Sequence, residues 1–298
     1  MIYRVSHNTT VQYASPIRLA QLNLRLRPAA WPGETVSDYL LSVDPLPWTR
    51  VDQEGAYVVN ETRLVVRDAI TQLKIASTFT VEVEDSGIDA GSTPSPTVRE
   101  VRERALKLPD LGKACPASYL FASPMAGADA EIARWGREWL GDDRPALDAG
   151  HALMHAINDQ FEYDSNATFA DTQPGEAFAK KRGVCQDFAH VMIIAARACG
   201  IPAAYVSGYL RTLPPPGQPR MVGADAMHAW VALWCGEDLG WVGFDPTNDK
   251  LANESHIFIA MGRDYSDVSP LGGVFHGSAQ QTMFLSVDVA PVEESENA

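Results

Sequence analysis

Apolar and polar positions alternate along the first stretch of the chain. Tyr3, Val5 and His7 share one parity, as do Tyr57, Val59 and Glu61, and Phe79, Val81 and Val83. A period of two is the signature of half-buried strands. Pro28, Pro32-Gly33, Pro45, Pro47 and Glu54-Gly55 punctuate these runs as turns. The pattern predicts a β-sandwich-like N-terminal domain over 1–85. A Gly-, Ser- and Pro-rich linker follows, reaching Pro96.

The period then changes to that of helices. Helices are expected over 97–108, 129–140, 147–161 and 174–181, the second placing Ile132, Trp135 and Trp139 on one face. A helix followed by strands is expected from Val184 to about Val268. This gives a linker and helical connector over 86–145, a catalytic core over 146–275, and a C-terminal strand with an acidic tail over 276–298. The fold class is therefore α+β. The tail carries Asp288, Glu293, Glu294 and Glu296 without Lys or Arg and reads as solvated.

The 298 residues are 46% hydrophobic and 21% charged, which excludes general disorder. The net charge of −14 repels phosphate backbones and anionic lipid, so no nucleic-acid or membrane partner is expected. The N-terminus lacks a basic segment followed by an apolar run, so no signal peptide is expected. The most apolar run, 191–206, is broken by Arg197 and Gly200-Ile201-Pro202, so no membrane span is expected. Cys115, Cys185, Cys199 and Cys235 show no paired spacing. The expectation is a cytoplasmic protein with reduced thiols.

One of these cysteines has an unusual setting. Cys185, Phe188, Ala189, Met192, Ile193, Ala196 and Cys199 fall at helical spacing and form one buried face. Gly200 supplies a C-terminal cap and Pro202 prevents continuation. Cys185 thus lies in the first helical turn, where free N–H groups and the dipole favour a thiolate and can stabilise an oxyanion. Gly183 is expected to permit the sharp approach that exposes the sulfur. The competing reading is a small buried residue, as free cysteines often are.

A candidate base lies further on. Asp225 to Trp234 reads as a strand with His228, Trp230, Ala232 and Trp234 on one face. After the turn region Cys235 to Gly240, Trp241 to Asp245 reads as a second strand ended by Pro246. An antiparallel hairpin of the two makes His228 and Asp245 neighbours, the arrangement by which a carboxylate fixes an imidazole tautomer. If Cys185 meets the outer nitrogen of His228, nucleophile, base and orienter are assembled. Taken singly, the histidine reads as structural and the aspartate before proline as a turn former.

These segments resemble the transglutaminase-like superfamily of papain-fold cysteine enzymes. The resemblance runs through Arg182-Gly183-Val184-Cys185-Gln186-Asp187-Phe188-Ala189-His190, Gly200 to Leu210, His228-Ala229-Trp230-Val231, Gly240 to Asn248 and Gly262 to Pro270. Tyr3 to Tyr13 resembles the start of the bacterial N-terminal region of that superfamily. The resemblance implies a papain-like core in which a cysteine-bearing helix packs on an antiparallel sheet. It implies Cys185 as nucleophile, His228 as general base and acid, and Asp245 as orienting carboxylate. The implied chemistry is acyl transfer or hydrolysis at amide bonds of peptides or proteins through a thioester, with an amine or water as acceptor. Tyr163, Gln186 and Trp230 are candidate oxyanion or substrate contacts.

No EF-hand loop is present, so calcium is not implied, and no cofactor or metal is expected. His151 and His155 lie one helical turn apart, but Ala152 stands where a zinc protease needs Glu. Asp225 and Asp249 are rival orienters for His228. The Pro-rich stretch 213–219 reads as a rigid connector or a lip over a cleft. Alternatives to acyl transfer are a cysteine protease or amidase, and a non-catalytic peptide-binding module of the same fold. Oligomeric state has no signal here.

Overall fold

The structure is a computed structural model and describes residues 1–212, 225–277 and 279–292. The Pro-rich stretch 213–219 and the acidic end at Glu293, Glu294 and Glu296 lie outside these residues.

Six strands come first: β1 (Ile2–Ile17), β2 (Leu19–Leu24), β3 (Glu34–Asp44), β4 (Thr49–Glu54), β5 (Asn60–Val66) and β6 (Ile70–Val83). Their alternating burial follows the period-two pattern, with Tyr3 and Val5 inward on β1 and Phe79 and Val81 inward on β6. The helices are α1 (Val98–Ala105), α2 (Ala130–Gly136) and α3 (Ala146–Gln160), followed by strand β7 (Glu162–Tyr163), helix α4 (Pro174–Lys180) and strand β8 (Arg182–Gly183). The helix α5 (Cys185–Ala198) leads into β9 (Ala203–Leu210), β10 (Ala226–Trp234), β11 (Trp241–Asp245), β12 (Lys250–Leu251) and β13 (His256–Gly262). The chain closes with α6 (Tyr265–Val268), β14 (Leu271–His276) and β15 (Gln281–Pro291).

The expected helices occur, and caps set the starts of the first two. Thr97 caps α1 through its hydroxyl, and Glu100 returns the hydrogen bond to the Thr97 N–H. Asp129 caps α2 by accepting from the N–H groups of Glu131 and Ile132. A residue with such a side chain is pulled out of helical geometry, so α1 and α2 each begin one position later than expected.

Two four-stranded sheets form the sandwich, in the orders β15-β1-β6-β3 and β14-β2-β5-β4. Each is completed by a strand from the far end of the chain, for β15 pairs with β1 from Tyr3↔Pro291 to Tyr13↔Gln281 and β14 pairs with β2. Strand β14 straddles residue 275, so the returning chain joins the N-terminal sheets before the expected C-terminal segment begins.

The core sheet has the order β12-β11-β10-β9-β13. Helix α5 lies on one face of it, packed against Ala229, Val231 and Leu233 in a single apolar cluster. That cluster continues through Tyr3, Val5, Phe79 and Val81 of the sandwich, so the two parts share one core. Gly150 lets α3 approach closely, because a Cβ there would come within 2.7 Å of the Phe244 ring. The opposite face of the sheet buries Val206, Trp230, Ala232 and Phe258 beneath Ala29, Trp31 and Tyr119.

Candidate active site

Cys185 is the first residue of α5 and is partly exposed. Val184 precedes the helix in extended conformation and has no side chain that can cap it. Asp187 supplies the missing order from inside the first turn. Its carboxylate accepts from the Val184 N–H at 2.8 Å and from the Thr168 hydroxyl at 2.7 Å. Burial pushes the Asp187 carboxyl upward, and those two hydrogen bonds oppose it. Gly183 matters here for space. A Cβ at residue 183 would lie 2.5 Å from Asp187 Oδ2 and 2.9 Å from Asp187 Cβ. The sharp approach expected of Gly183 is thus a steric clearance for the capping carboxylate.

The hairpin of β10 and β11 is antiparallel, with Trp234 opposite Trp241 and Val231 opposite Phe244. His228 and Asp245 therefore meet near its open end. His228 Nε2 donates to Asp245 Oδ2 at 2.8 Å, and Cys185 lies beside the same ring, lining one cleft with it and raising its pKa. With Nε2 held by the carboxylate, Nδ1 is the nitrogen left for sulfur. Burial alone would lower the His228 pKa, but the bond to Asp245 and then Cys185 outweigh it and raise it to about 9.

Asp245 is fully buried and is the most heavily bonded group in the site. Its Oδ2 also accepts from Asn248 Nδ2 at 2.7 Å and from His256 Nε2 at 3.1 Å. Its Oδ1 accepts from the N–H groups of Thr247 and Asn248. Burial opposes its charge, and the bonds from His228 and then His256 hold the carboxyl far below the usual range. Asn248 and His256 were missed in the sequence. An Asp that accepts from backbone two and three residues on is an Asx-type turn, which the run Asp245-Pro246-Thr247-Asn248 foreshadows. His256 has no local signal, because it reaches Asp245 from β13 across the sheet.

A cleft of about 270 Å³ opens beside the sulfur, lined by Cys185, His228, Tyr205, Tyr265, Met283 and Leu285. Met283 and Leu285 come from β15, so the sandwich forms one wall. Gln186 lines the same cleft, but its side-chain amide donates to the Ala170 carbonyl at 2.9 Å. Tyr163 is exposed, yet near enough for a charge on Cys185 to raise its pKa after burial has done so. Trp230 lines a separate cavity and not the thiol cleft, with its ring centroid 6.1 Å from that of His228.

The rival orienters are engaged elsewhere. Asp225 accepts from the N–H groups of Thr212 and Val289, and Asp249 binds His155 Nδ1 at 2.8 Å. His228, Asp245 and His256 present three ligand atoms within 4.8 Å of one another, a donor set suited to a divalent metal. Those atoms already serve the hydrogen bonds just described. No described helix is long and apolar enough to cross a membrane.

A partly exposed cysteine at a helix start thus lies beside a histidine held by a buried aspartate of an antiparallel sheet. Comparison with known proteins places the fold in a family. Residues 133–246 match the family model of the transglutaminase-like superfamily, and residues 3–82 match the bacterial transglutaminase-like N-terminal region. The chain belongs to the transglutaminase-like superfamily. It is 33% identical to uncharacterized proteins of Mycobacterium bovis and Mycobacterium tuberculosis over 98% of its own length and 93% of theirs. A protein-glutamine gamma-glutamyltransferase of Pseudomonas aeruginosa is 35% identical over 117 residues, which is 36% of this chain and 17% of that protein. A solved structure from Cytophaga hutchinsonii, described as a candidate cysteine protease, superposes with a TM-score of 0.72 at 20% identity, covering 99% of this chain and 93% of that one.

Proposed function

We propose that this protein is a thiol enzyme that breaks amide bonds in peptides or proteins and passes the acyl group to an amine or to water. Cys185 is the nucleophile, His228 the general base and acid, and Asp245 the orienting carboxylate. The observation that carries this reading is the placement of the His228 ring, which shares a cleft with Cys185 and is hydrogen-bonded to Asp245. Such a ring can accept the thiol proton and later deliver it to a leaving group.

The sulfur of Cys185 bonds to the carboxamide carbon, and the negative charge on oxygen is met by N–H groups at the start of α5. The C–N bond then breaks, the His228 proton goes to the departing ammonia or amine, and a thioester remains. An amine or water next attacks the thioester carbon, gives its proton to His228 and releases Cys185. The likeness to a protein-glutamine gamma-glutamyltransferase favours a glutamine side chain as acyl donor.

Intact-protein mass spectrometry after incubation with glutamine-containing peptides tests this. A thioester adduct on wild-type protein that is lost in Cys185→Ala supports it. Peptide turnover that survives Cys185→Ala overturns it. Adding a primary amine separates transfer from hydrolysis, since only transfer incorporates the amine into the peptide.

A further inference from the structure

A second cavity on the core sheet does not include the sulfur. A cavity of about 590 Å³ lies on the face opposite α5, between β10, β11 and β13 and the turn that precedes β3. Neither Cys185 nor His228 lines it. Its walls are aromatic: Trp31, Trp230, Trp241 and Phe258, with Trp31 stacked on Phe258 at 4.3 Å between centroids. Its charged lining residues are all carboxylic, namely Glu34, Glu84 and Asp85, and no described lining residue is Lys or Arg.

Local sequence sets this up. Trp31-Pro32-Gly33-Glu34 is a tight turn in which the Glu34 N–H donates to the Trp31 carbonyl and Gly33 takes φ +78°. Proline followed by glycine is the pair a type II turn requires. The turn places an indole and a carboxyl on the same cavity wall. Glu34 Oε1 accepts from the Phe258 N–H at 2.7 Å, while Oε2 is buried with no hydrogen-bond partner among the described residues. Burial pushes this carboxyl up to about 8. A buried polar atom left unpaired costs free energy that a ligand can recover.

We propose that this cavity is a binding site for a small organic cation, an ammonium group on an apolar stem. Aromatic faces attract cations and cover apolar stems. The ammonium N–H meets the unpaired Glu34 oxygen and displaces to solvent the proton that burial keeps on this carboxyl, and the carboxylates of Glu84 and Asp85 at the rim draw in positive charge. The site is separate from the thiol cleft and does not depend on the reading of Cys185. It does touch the machinery from behind, because His256 lines the cavity and also donates to Asp245.

The test uses the full chain and tryptophan fluorescence, since three of the lining residues are Trp. Phenethylammonium is titrated at constant ionic strength beside its uncharged isostere, phenethyl alcohol. The expected result is a saturable change with the ammonium and at least a tenfold weaker response to the alcohol. Glu34→Gln is expected to weaken ammonium binding about tenfold while Cys185→Ala leaves it unchanged. Trp31→Leu, which keeps an apolar side chain at a partly exposed position, is expected to weaken it severalfold and guards against a folding defect in the first variant. Equal binding of alcohol and ammonium, absence of saturation in the wild type, or loss of binding in Cys185→Ala overturns the proposal. The wild-type comparison decides it even if both cavity variants unfold.

Discussion

His256 Nε2 lies 3.1 Å from the same oxygen of Asp245 that holds His228 Nε2 at 2.8 Å. One carboxylate oxygen therefore serves two imidazoles on different strands. The Asn253 N–H points at His256 Nδ1, which fits a ring that carries its proton on Nε2 and donates it to Asp245. Removing that donor leaves the carboxylate in place but less firmly set. A hydrogen bond to a charged group is worth about 1.5–3 kcal/mol, so His256→Leu should lower kcat by about tenfold or more with KM little changed. His256→Gln, which keeps an N–H within reach, should recover most of the loss. Equal kcat for the leucine variant and the wild type would remove His256 from the positioning of the site.

The thiols divide by exposure. Cys115, Cys199 and Cys235 are buried, and burial pushes Cys199 upward and Cys235 to about 12. Cys185 is the partly exposed one and faces His228. Iodoacetamide at near-neutral pH should therefore add one group per native chain, and peptide mapping should find it on Cys185. Cys185→Ala should remove the labelling. Equal labelling of both proteins would show that another thiol is the reactive one.

Much of this site was legible in the chain because its parts are local. Helical spacing after Cys185, the C-terminal cap at Gly200 and the two strands around Cys235 to Gly240 each announce themselves within a few residues. His228 and Asp245 come together through a single hairpin, whose register follows from strand parity. What escaped depends on long-range pairing. His256 enters from β13, and Met283 and Leu285 enter from β15, which crosses back to pair with β1. No periodicity at residue 283 reports that its strand will border residue 185. Trp230 shares its strand face with His228, yet its ring lines a different cavity, because alternation fixes a face and not what covers it.

Gly183 offers a stability test of the helix start. A methyl group there would force the Asp187 carboxylate from its place above the Val184 N–H. Loss of a helix cap costs about 0.5–2 kcal/mol, and the displaced carboxylate is buried, so Gly183→Ala should sit at the upper end of that range. Urea denaturation measures this directly. The same variant should slow alkylation of Cys185, since the first turn of α5 carries the sulfur. A variant as stable as wild type, with an unchanged alkylation rate, would show that the first turn tolerates the methyl and that the clearance is not needed.

The raised pKa of His228 predicts how stability responds to alkali. The group's ordinary value is 6.5, and the folded value is about 9. Between these the folded state holds a proton that the unfolded state has released, so stability must fall as pH rises. The contribution is complete below about pH 6.5 and is lost through pH 9. At about 1.36 kcal/mol per pH unit of difference, the loss is on the order of 3 kcal/mol. Glu34 adds a fall of its own, because its folded value of about 8 exceeds the ordinary 4.5, and that fall ends near pH 8. Asp245→Asn isolates the histidine. Without the carboxylate, burial is opposed by Cys185 alone and the His228 pKa falls, while Glu34 is untouched. Urea unfolding of both proteins at pH 7 and pH 9.5 should show wild type losing more stability than Asp245→Asn across that interval. Parallel losses would mean that Asp245 does not hold the His228 proton.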